Sequence, residues 1–547
     1  MSLSRHINPD EIIQKSKDHP HQAQYRTKHE NRSTHQSWSR DEDAAGVSKY
    51  QIPDIGIPSK AAYHLLHDET ALDGNPLLNL ASFVHTWMPD EATKLIMENM
   101  NKNQVDMDEY PAATIIHNRC VSMMASLWHA PTASNNAIGT STAGSSEAIM
   151  LAGLALKKRW QEARKTAGKD HLRPGPNIIF GSNAQVALEK FARYFDVECR
   201  LVPVKKENNY VMDPKDAIGY VDENTIGVMV IMGSTYTGHF ENVKEMSDLL
   251  DDLQQRTGLD IPIHVDAASG GFIAPFVYPS LEWDFKVPRV VSINTSGHKF
   301  GLVYAGLGWV IWRDESWLNK DLVFELHYLG SVEYSFTLNF SKPASPIIAQ
   351  MFNFLNLGFE GYRRIATKDL RNARLLSRAL ENLGWFKVLS NIHRPLPGKD
   401  TDDDPESYES GLPVVSFMLS DDFKSKYPHV KQVWIQSLLR GKGWIVPNYG
   451  APQGEESTEM LRVVVRETLS EDLMEKLITD IVEVTESIME GDGAQMMIAS
   501  TKNSIHQPER EHGRPDKDNF GSSSTASAED GQGQGQGQGQ AGYSRQC

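Results

Sequence analysis

The stretch Ser292-Ile293-Asn294-Thr295-Ser296-Gly297-His298-Lys299-Phe300-Gly301 gives one lysine the setting that covalent amine chemistry requires. The apolar run Val290-Val291-Ser292-Ile293 reads as a buried strand, and Gly308-Trp309-Val310-Ile311-Trp312 reads as another soon after. Lys299 therefore sits in a turn between interior elements. Burial disfavours the ammonium form, so a lysine held there keeps a free amine, the state that forms a Schiff base with an aldehyde. A lysine after a strand is more often a solvated loop residue, and Lys299 gains its weight from what lies upstream. There the strand-like run Ile261-Pro262-Ile263-His264-Val265 closes on Asp266, and Ala267, Ala268, Ser269, Gly270 and Gly271 follow. A carboxylate at a strand end beside such small residues suits a flat ring lying against backbone.

A third feature is Gly139-Thr140-Ser141-Thr142-Ala143-Gly144-Ser145-Ser146-Glu147, which opens into the all-round apolar run from Ala148 to Leu156. That run reads as an interior helix. Small hydroxyl residues and glycine at a helix start leave backbone N–H groups pointing one way, a site for a phosphate dianion, although an ordinary serine-capped helix has the same composition. The amine, the acid and the cradle at Ser145 and Ser146 together match pyridoxal phosphate, which offers an aldehyde, a ring nitrogen and a phosphate. A carboxylate about 3 Å from the ring N–H, at an effective dielectric of ~20, is worth roughly 5 kcal/mol. The protonated ring then accepts electrons released at a substrate α-carbon.

Strand-like and helical runs alternate from Asn177 to Trp312, which predicts an α/β domain with a largely parallel sheet and ligands at the strand C-terminal ends. A helix from Val243 to Arg256 ends at Gly258. After Pro343 come helices over about 346–357 and 361–383. A smaller α+β lobe follows: strand Leu412–Met418, helix Val430–Leu439, strand Met460–Arg466, and a helix capped by Ser470 that runs to about Met489. Leu80–Trp87, Asn101–Asp106 and the Asp/Pro/Gly-rich segment His393–Ser410 read as surface loops. The expected division is a loose arm at 1–55, a helical segment at 56–120, the large domain at 121–345, the small domain at 346–490 and a low-complexity tail at 491–547 with Gly-Gln repeats.

Bulk properties narrow the class. A formal charge of −16 over 547 residues argues against a nucleic-acid binder. The 3 cysteines, Cys120, Cys199 and Cys547, offer neither a disulfide framework nor metal-ligand spacing, which fits a reducing compartment. No apolar signal core opens the chain and no run approaches the ~20 apolar residues that cross a bilayer, so the expected location is the cytosol, with no membrane partner.

Asp266–Gly271, Ser296–Gly301, Gly144-Ser145-Ser146-Glu147 and Thr235-Tyr236-Thr237-Gly238 together resemble the pyridoxal phosphate-dependent group II decarboxylases, in particular those acting on L-glutamate. Leu127-Trp128-His129-Ala130-Pro131, Lys190-Phe191-Ala192-Arg193-Tyr194 and Asn339-Phe340-Ser341-Lys342-Pro343 extend the likeness from about Asn79 to Glu490. The resemblance implies an α/β fold of the aspartate aminotransferase type (fold type I), with a mostly parallel seven-stranded sheet and a smaller C-terminal α+β domain. It implies conversion of L-glutamate to 4-aminobutanoate and carbon dioxide by a homodimer or higher homo-oligomer. Lys299 is then the Schiff-base lysine and Asp266 the pyridinium partner. Ser145, Ser146 and His298 contact the phosphate, Ser296 joins the cofactor-binding set, and Ser341 reaches the phosphate of the neighbouring subunit. Thr235 and Ala268 lie around the ring, and Gln185 stacks on it. Ser82, Phe83 and Asn103 lie near the distal carboxylate of the substrate, Arg462 at its α-carboxylate, and Tyr328 matches a mobile active-site tyrosine. An arginine on such a strand also commonly pairs with a nearby acid. The chain departs from the family at Glu189, where a histidine is common, and at Ser82, where a threonine is usual. Its C-terminal tail lacks the Trp-containing basic amphipathic pattern of plant relatives, so calmodulin binding is unsupported. The competing readings are a decarboxylase or lyase for another amino acid or amine, and a catalytically silent scaffold.

Overall fold

The computed structural model describes residues 50–132, 137–326, 333–399 and 404–491. The chain divides into two units, 1–74 with 500–547, and 75–499. Within the first, helix α1 (Ser59–Thr70) has no buried residue. All other elements belong to the second.

The apolar runs between helices build one sheet from β1 (Ile138–Thr142), β2 (Asn177–Gly181), β3 (Glu198–Val202), β4 (Thr225–Ile231), β5 (Ile263–Asp266), β6 (Val290–Thr295) and β7 (Gly308–Trp312). Its 7 strands lie in the order β1-β7-β6-β5-β4-β2-β3. Strands β3, β2, β4, β5 and β6 are parallel, while β7 runs antiparallel to both of its neighbours. The central strands are buried throughout, as strands covered on both faces must be. Strand β1 was not legible as a strand, because Gly-Thr-Ser-Thr carries no large apolar side chain. The reason is space: a Cβ at Gly139 would lie 2.7 Å from the Val310 carbonyl on the neighbouring strand.

The covering helices are α2 (Asp90–Asn99), α3 (Pro111–Leu127), α4 (Ser145–Thr166), α5 (Val186–Tyr194) and α6 (Val243–Thr257). Asn242 caps α6 by accepting from the Glu245 N–H at 3.0 Å, and Gly258 ends it at φ 78°. After a short pairing of β8 (Phe324–Leu326) with β9 (Glu333–Ser335), the long helix α7 (Ser345–Asn382) leads into the small lobe. The predicted break in this helix is real: Gly358 adopts φ 57°, ψ −169°. The lobe itself is an antiparallel sheet of β10 (Phe386–Val388), β11 (Val414–Leu419), β12 (Asn448–Gly450) and β13 (Glu459–Val464), in the order β10-β11-β13-β12. It packs with α8 (Gln432–Gly441) and α9 (Glu471–Met489), the latter capped by Ser470 Oγ.

Three loop readings are corrected. Leu80, Phe83 and His85 are buried, because Leu80 N–H donates to Ile445 O and Leu80 O accepts from Val464 N–H, which docks the segment on the small lobe. Gln104 and Val105 are buried as well, with Gln104 N–H donating to Lys342 O. Within 393–410, of which 400–403 lie outside the described residues, Tyr408 is buried beneath Arg374, whose guanidinium carbon stands 3.6 Å from the ring centroid.

Candidate active site

Parallel strands deliver their C-terminal ends to one edge, and the sequence places its chemistry there. Asp266 is the last residue of β5, and Lys299 lies in the turn after β6, the adjacent strand. Asp266 is buried, and its Oδ1 accepts from the Ala268 N–H at 3.1 Å and from Asn294 Nδ2 at 2.9 Å. Ala268 O in turn accepts from the Ser296 N–H, and Ser296 O from the Lys299 N–H. The acid, Ala268 and the lysine turn are thus one hydrogen-bonded run.

Lys299 is 8% exposed, with its Nζ 5.3 Å from the centroid of the Phe83 ring. Arg462, also buried, places its guanidinium 5.2 Å from the same ring. The structure therefore brings the predicted amine, aromatic and arginine together. Among the described residues Arg462 pairs with no acid. Its Nη1 donates to Thr235 O at 2.9 Å and its Nη2 to Ala81 O, tying the segment that carries Ser82 and Phe83 to the small lobe. Arg466 adds bonds to Val84 O, Pro76 O and Asn79 O. Ser82 Oγ accepts from the Val84 N–H and so shapes that segment locally.

At the start of α4, Ser145 Oγ lies 2.7 Å from Ser296 Oγ. Glu147 reaches back to the Ala143 N–H at 2.8 Å, which holds the chain open into the first turn around Ser145 and Ser146. The His298 ring rests against Gly144, where a Cβ would meet its Cε1 at 3.0 Å. Burial, reinforced by Lys299, lowers the His298 pKa to about 4, so the imidazole is neutral. Its Nδ1 accepts from the Leu307 N–H at 3.2 Å, which leaves the proton on Nε2.

The lysine turn is held from behind by α7. Gln350 Nε2 and Tyr362 Oη each donate to Gly301 O at 3.0 Å, and Asn353 Nδ2 donates to Leu302 O at 2.6 Å. Leu302 itself has φ 62°, a left-handed conformation unusual for leucine. Sequence reasoning missed these three residues, whose only signal is polarity on the buried stripe of an amphipathic helix.

Other predicted residues make bonds of their own. Gln185 caps α5, its Oε1 accepting from the Ala187 N–H at 2.8 Å. Asn103 Nδ2 donates to Ser341 Oγ at 3.3 Å, and Asn103 Oδ1 accepts from the Lys342 N–H. Lys342, also missed, is half-buried and donates to Ser141 O at 2.8 Å; desolvation lowers its pKa to about 8. Tyr328 lies outside the described residues. One expectation is revised: Gly270 is small because of the protein's own packing, since a Cβ there would lie 2.3 Å from Met232 O.

These residues fit pyridoxal phosphate by the chemistry of their donors. Two hydroxyls and a neutral imidazole N–H beside a helix N-terminus suit a dianion, a buried carboxylate with both named donors on one oxygen suits a ring N–H, and a buried amine suits an aldehyde. Fold and site together define a pyridoxal phosphate-dependent α/β enzyme of fold type I. Residues 57–396 match the pyridoxal-dependent decarboxylase conserved domain, and the chain belongs to that family. It is 50% identical over 469 residues to a glutamate decarboxylase of Saccharomyces cerevisiae, covering 81% of this chain and 80% of the yeast protein. It is 51% identical over 445 residues to glutamate decarboxylase 5 of Arabidopsis thaliana, covering 81% and 85%. Among solved structures, a Lactobacillus brevis glutamate decarboxylase superimposes with a TM-score of 0.75 at 38% identity, over 82% of this chain and 97% of that one.

Proposed function

We propose that the protein removes the α-carboxylate of L-glutamate, giving 4-aminobutanoate and carbon dioxide with pyridoxal 5'-phosphate as cofactor. The observation that carries this reading is the placement of Lys299 and Arg462 about one aromatic ring, Phe83, which brings a carboxylate-binding cation and a buried amine into one site. When bound, the cofactor supplies an electron sink conjugated to the α-carbon. Lys299 holds it and Asp266 keeps its ring nitrogen protonated. Ser145, Ser146, Ser296 and the Nε2–H of His298 hold its phosphate, with Thr235, Ala268 and Gln185 around the ring. Arg462 would bind the substrate's α-carboxylate and fix its orientation, while Ser82, Phe83 and Asn103 would receive the distal carboxylate.

Incubating the purified protein with cofactor and L-glutamate should yield 4-aminobutanoate by NMR, and Lys299→Ala should abolish it without loss of fold. Absence of that product, or substantial residual turnover in the variant, overturns the proposal.

A homodimer fits the same reading, with Ser341 offered to the neighbouring subunit's phosphate. Its support is the exposure of Met97, Met100, Ile115 and Met123 on or beside α2 and α3, a composition suited to an interface. A sedimentation mass of a single chain would contradict it. A cytoplasmic location is supported by the free thiols of Cys120 and Cys199, and no helix among the described residues is long and apolar enough to cross a membrane. Fractionation of cells with an antibody to this chain tests the location.

A further inference from the structure

Asp266 is one corner of a polar square. Strands β5 and β6 run side by side with His264 opposite Ser292 and Asp266 opposite Asn294. Alternate residues of a strand share a face, so all four side chains stand together on one face of a sheet that is otherwise apolar there. Each is buried, His264 and Asn294 completely.

The bonds run in one direction. Ser292 Oγ lies 2.8 Å from His264 Nδ1, His264 Nε2 lies 2.7 Å from Asn294 Oδ1, and Asn294 Nδ2 lies 2.9 Å from Asp266 Oδ1. A carboxylate only accepts, so the amide must turn its NH2 toward Asp266 and its carbonyl toward the histidine. His264 must then carry its proton on Nε2, and its Nδ1 accepts from the Ser292 hydroxyl. Burial lowers the basicity of His264 and keeps the ring neutral, as this pattern demands. The interior bears the cost of enclosing these polar groups, although the Ala268 N–H already bonds Asp266 Oδ1.

We infer that His264 and Asn294 are positioning residues for Asp266: they fix the plane of its carboxylate through Oδ1 and so present Oδ2 to the cofactor's ring nitrogen. The inference rests on the proposed role of Asp266 as partner of that nitrogen. His264 does not touch the cofactor in this scheme. It acts through Asn294, and Ser292 sets its tautomer.

The test uses the full-length protein with Asp266→Asn, Asn294→Leu, His264→Leu and His264→Gln. For each, tryptophan fluorescence of the apoprotein titrated with pyridoxal phosphate gives cofactor affinity, steady-state kinetics give kcat and KM for L-glutamate, and circular dichroism gives Tm. Groups that orient a ligating side chain typically matter by 10–100-fold, so Asn294→Leu and His264→Leu should each weaken cofactor binding and lower kcat about 10-fold, with KM within about 2-fold. His264→Gln, whose amide can still donate to Asn294, should recover most of both losses at a Tm like that of His264→Leu. Asn294→Ser replaces the leucine variant if that proves insoluble, with the same expected changes. If the Asn294 and His264 variants lose Tm but keep kcat and cofactor affinity within about 2-fold while Asp266→Asn is inactive, the square is packing alone and the inference fails. Failure of glutamine to restore either quantity also overturns it. An active Asp266→Asn removes the premise, and the assignment of Asp266 falls with it.

Discussion

Arg462 holds two backbone carbonyls and still has a buried Nε without a partner among the described residues. An unpaired buried N–H costs about 1–3 kcal/mol, and an arriving carboxylate removes that cost. Arg462→Lys keeps the charge but loses the planar fork that reaches Thr235, Ala81 and substrate together. It should lower kcat/KM for L-glutamate about 10–100-fold, the value of a hydrogen bond to a charged group. A lysine variant within about 3-fold of the parent would refute the role. Lys299, Asp266 and Ser145 were legible because an amine, an acid and a serine pair each sat where one element ended and the next began. Asn294 and His264 were not, although His264 stood in a run recognised as a strand and Asn294 directly followed another. Their meaning depends on β6 lying beside β5 in one register, and register across strands is not written within either strand. Arg462 was half legible: its strand was evident, but its carbonyl partners come from segments hundreds of residues away.

Helix α7 is the element that fixes the lysine turn, and its kink lets both of its arms contribute. Gln350 and Asn353 precede Gly358 and Tyr362 follows it, yet Gln350 and Tyr362 share the Gly301 carbonyl. The backbone of Gly358 lies in a region open essentially to glycine alone. Nothing stands within 4 Å of an added Cβ, so the penalty for Gly358→Ala is conformational rather than steric. That substitution should destabilise the protein by about 1–3 kcal/mol, seen as a lower midpoint in urea. An unchanged midpoint would show that the helix straightens at no cost. The break was legible from glycines at 358 and 361, as were the boundaries of α6 and α9, where caps agree with the apolar period. The three-residue strands β10 and β12 were not, since runs so short carry no period.

Among the described residues of 75–499, desolvation keeps several imidazoles neutral. Burial lowers the pKa of His117, His239 and His298 to about 4 and of His393 to about 3, and His264 is shifted the same way. Unfolded, each titrates near 6.5. Between these values the unfolded chain binds protons that the folded chain refuses, so stability that is complete above pH 6.5 is lost as pH falls, by about 1.4 kcal/mol per pH unit for each histidine. Glu241, pushed up to about 7 by burial, and Asp369, raised for the same reason, act in the opposite sense and offset part of the loss. The Tm of the apoprotein should therefore fall steadily from pH 6.5 to 4.5, and a flat or rising Tm over that window would contradict the balance. At this scale the alternation of strands and helices announced the α/β architecture, whereas the docking of the segment around Phe83 on the small lobe required the fold. One consequence follows from acid and amine standing on neighbouring strands. The connection between β5 and β6 passes through exposed Pro279 and Ser280, and a cut there would put Asp266 on one polypeptide and Lys299 on the other. Two inert fragments would then recover turnover only once β6 and β7 insert between β5 and β1, making the enzyme a reporter of its own reassembly.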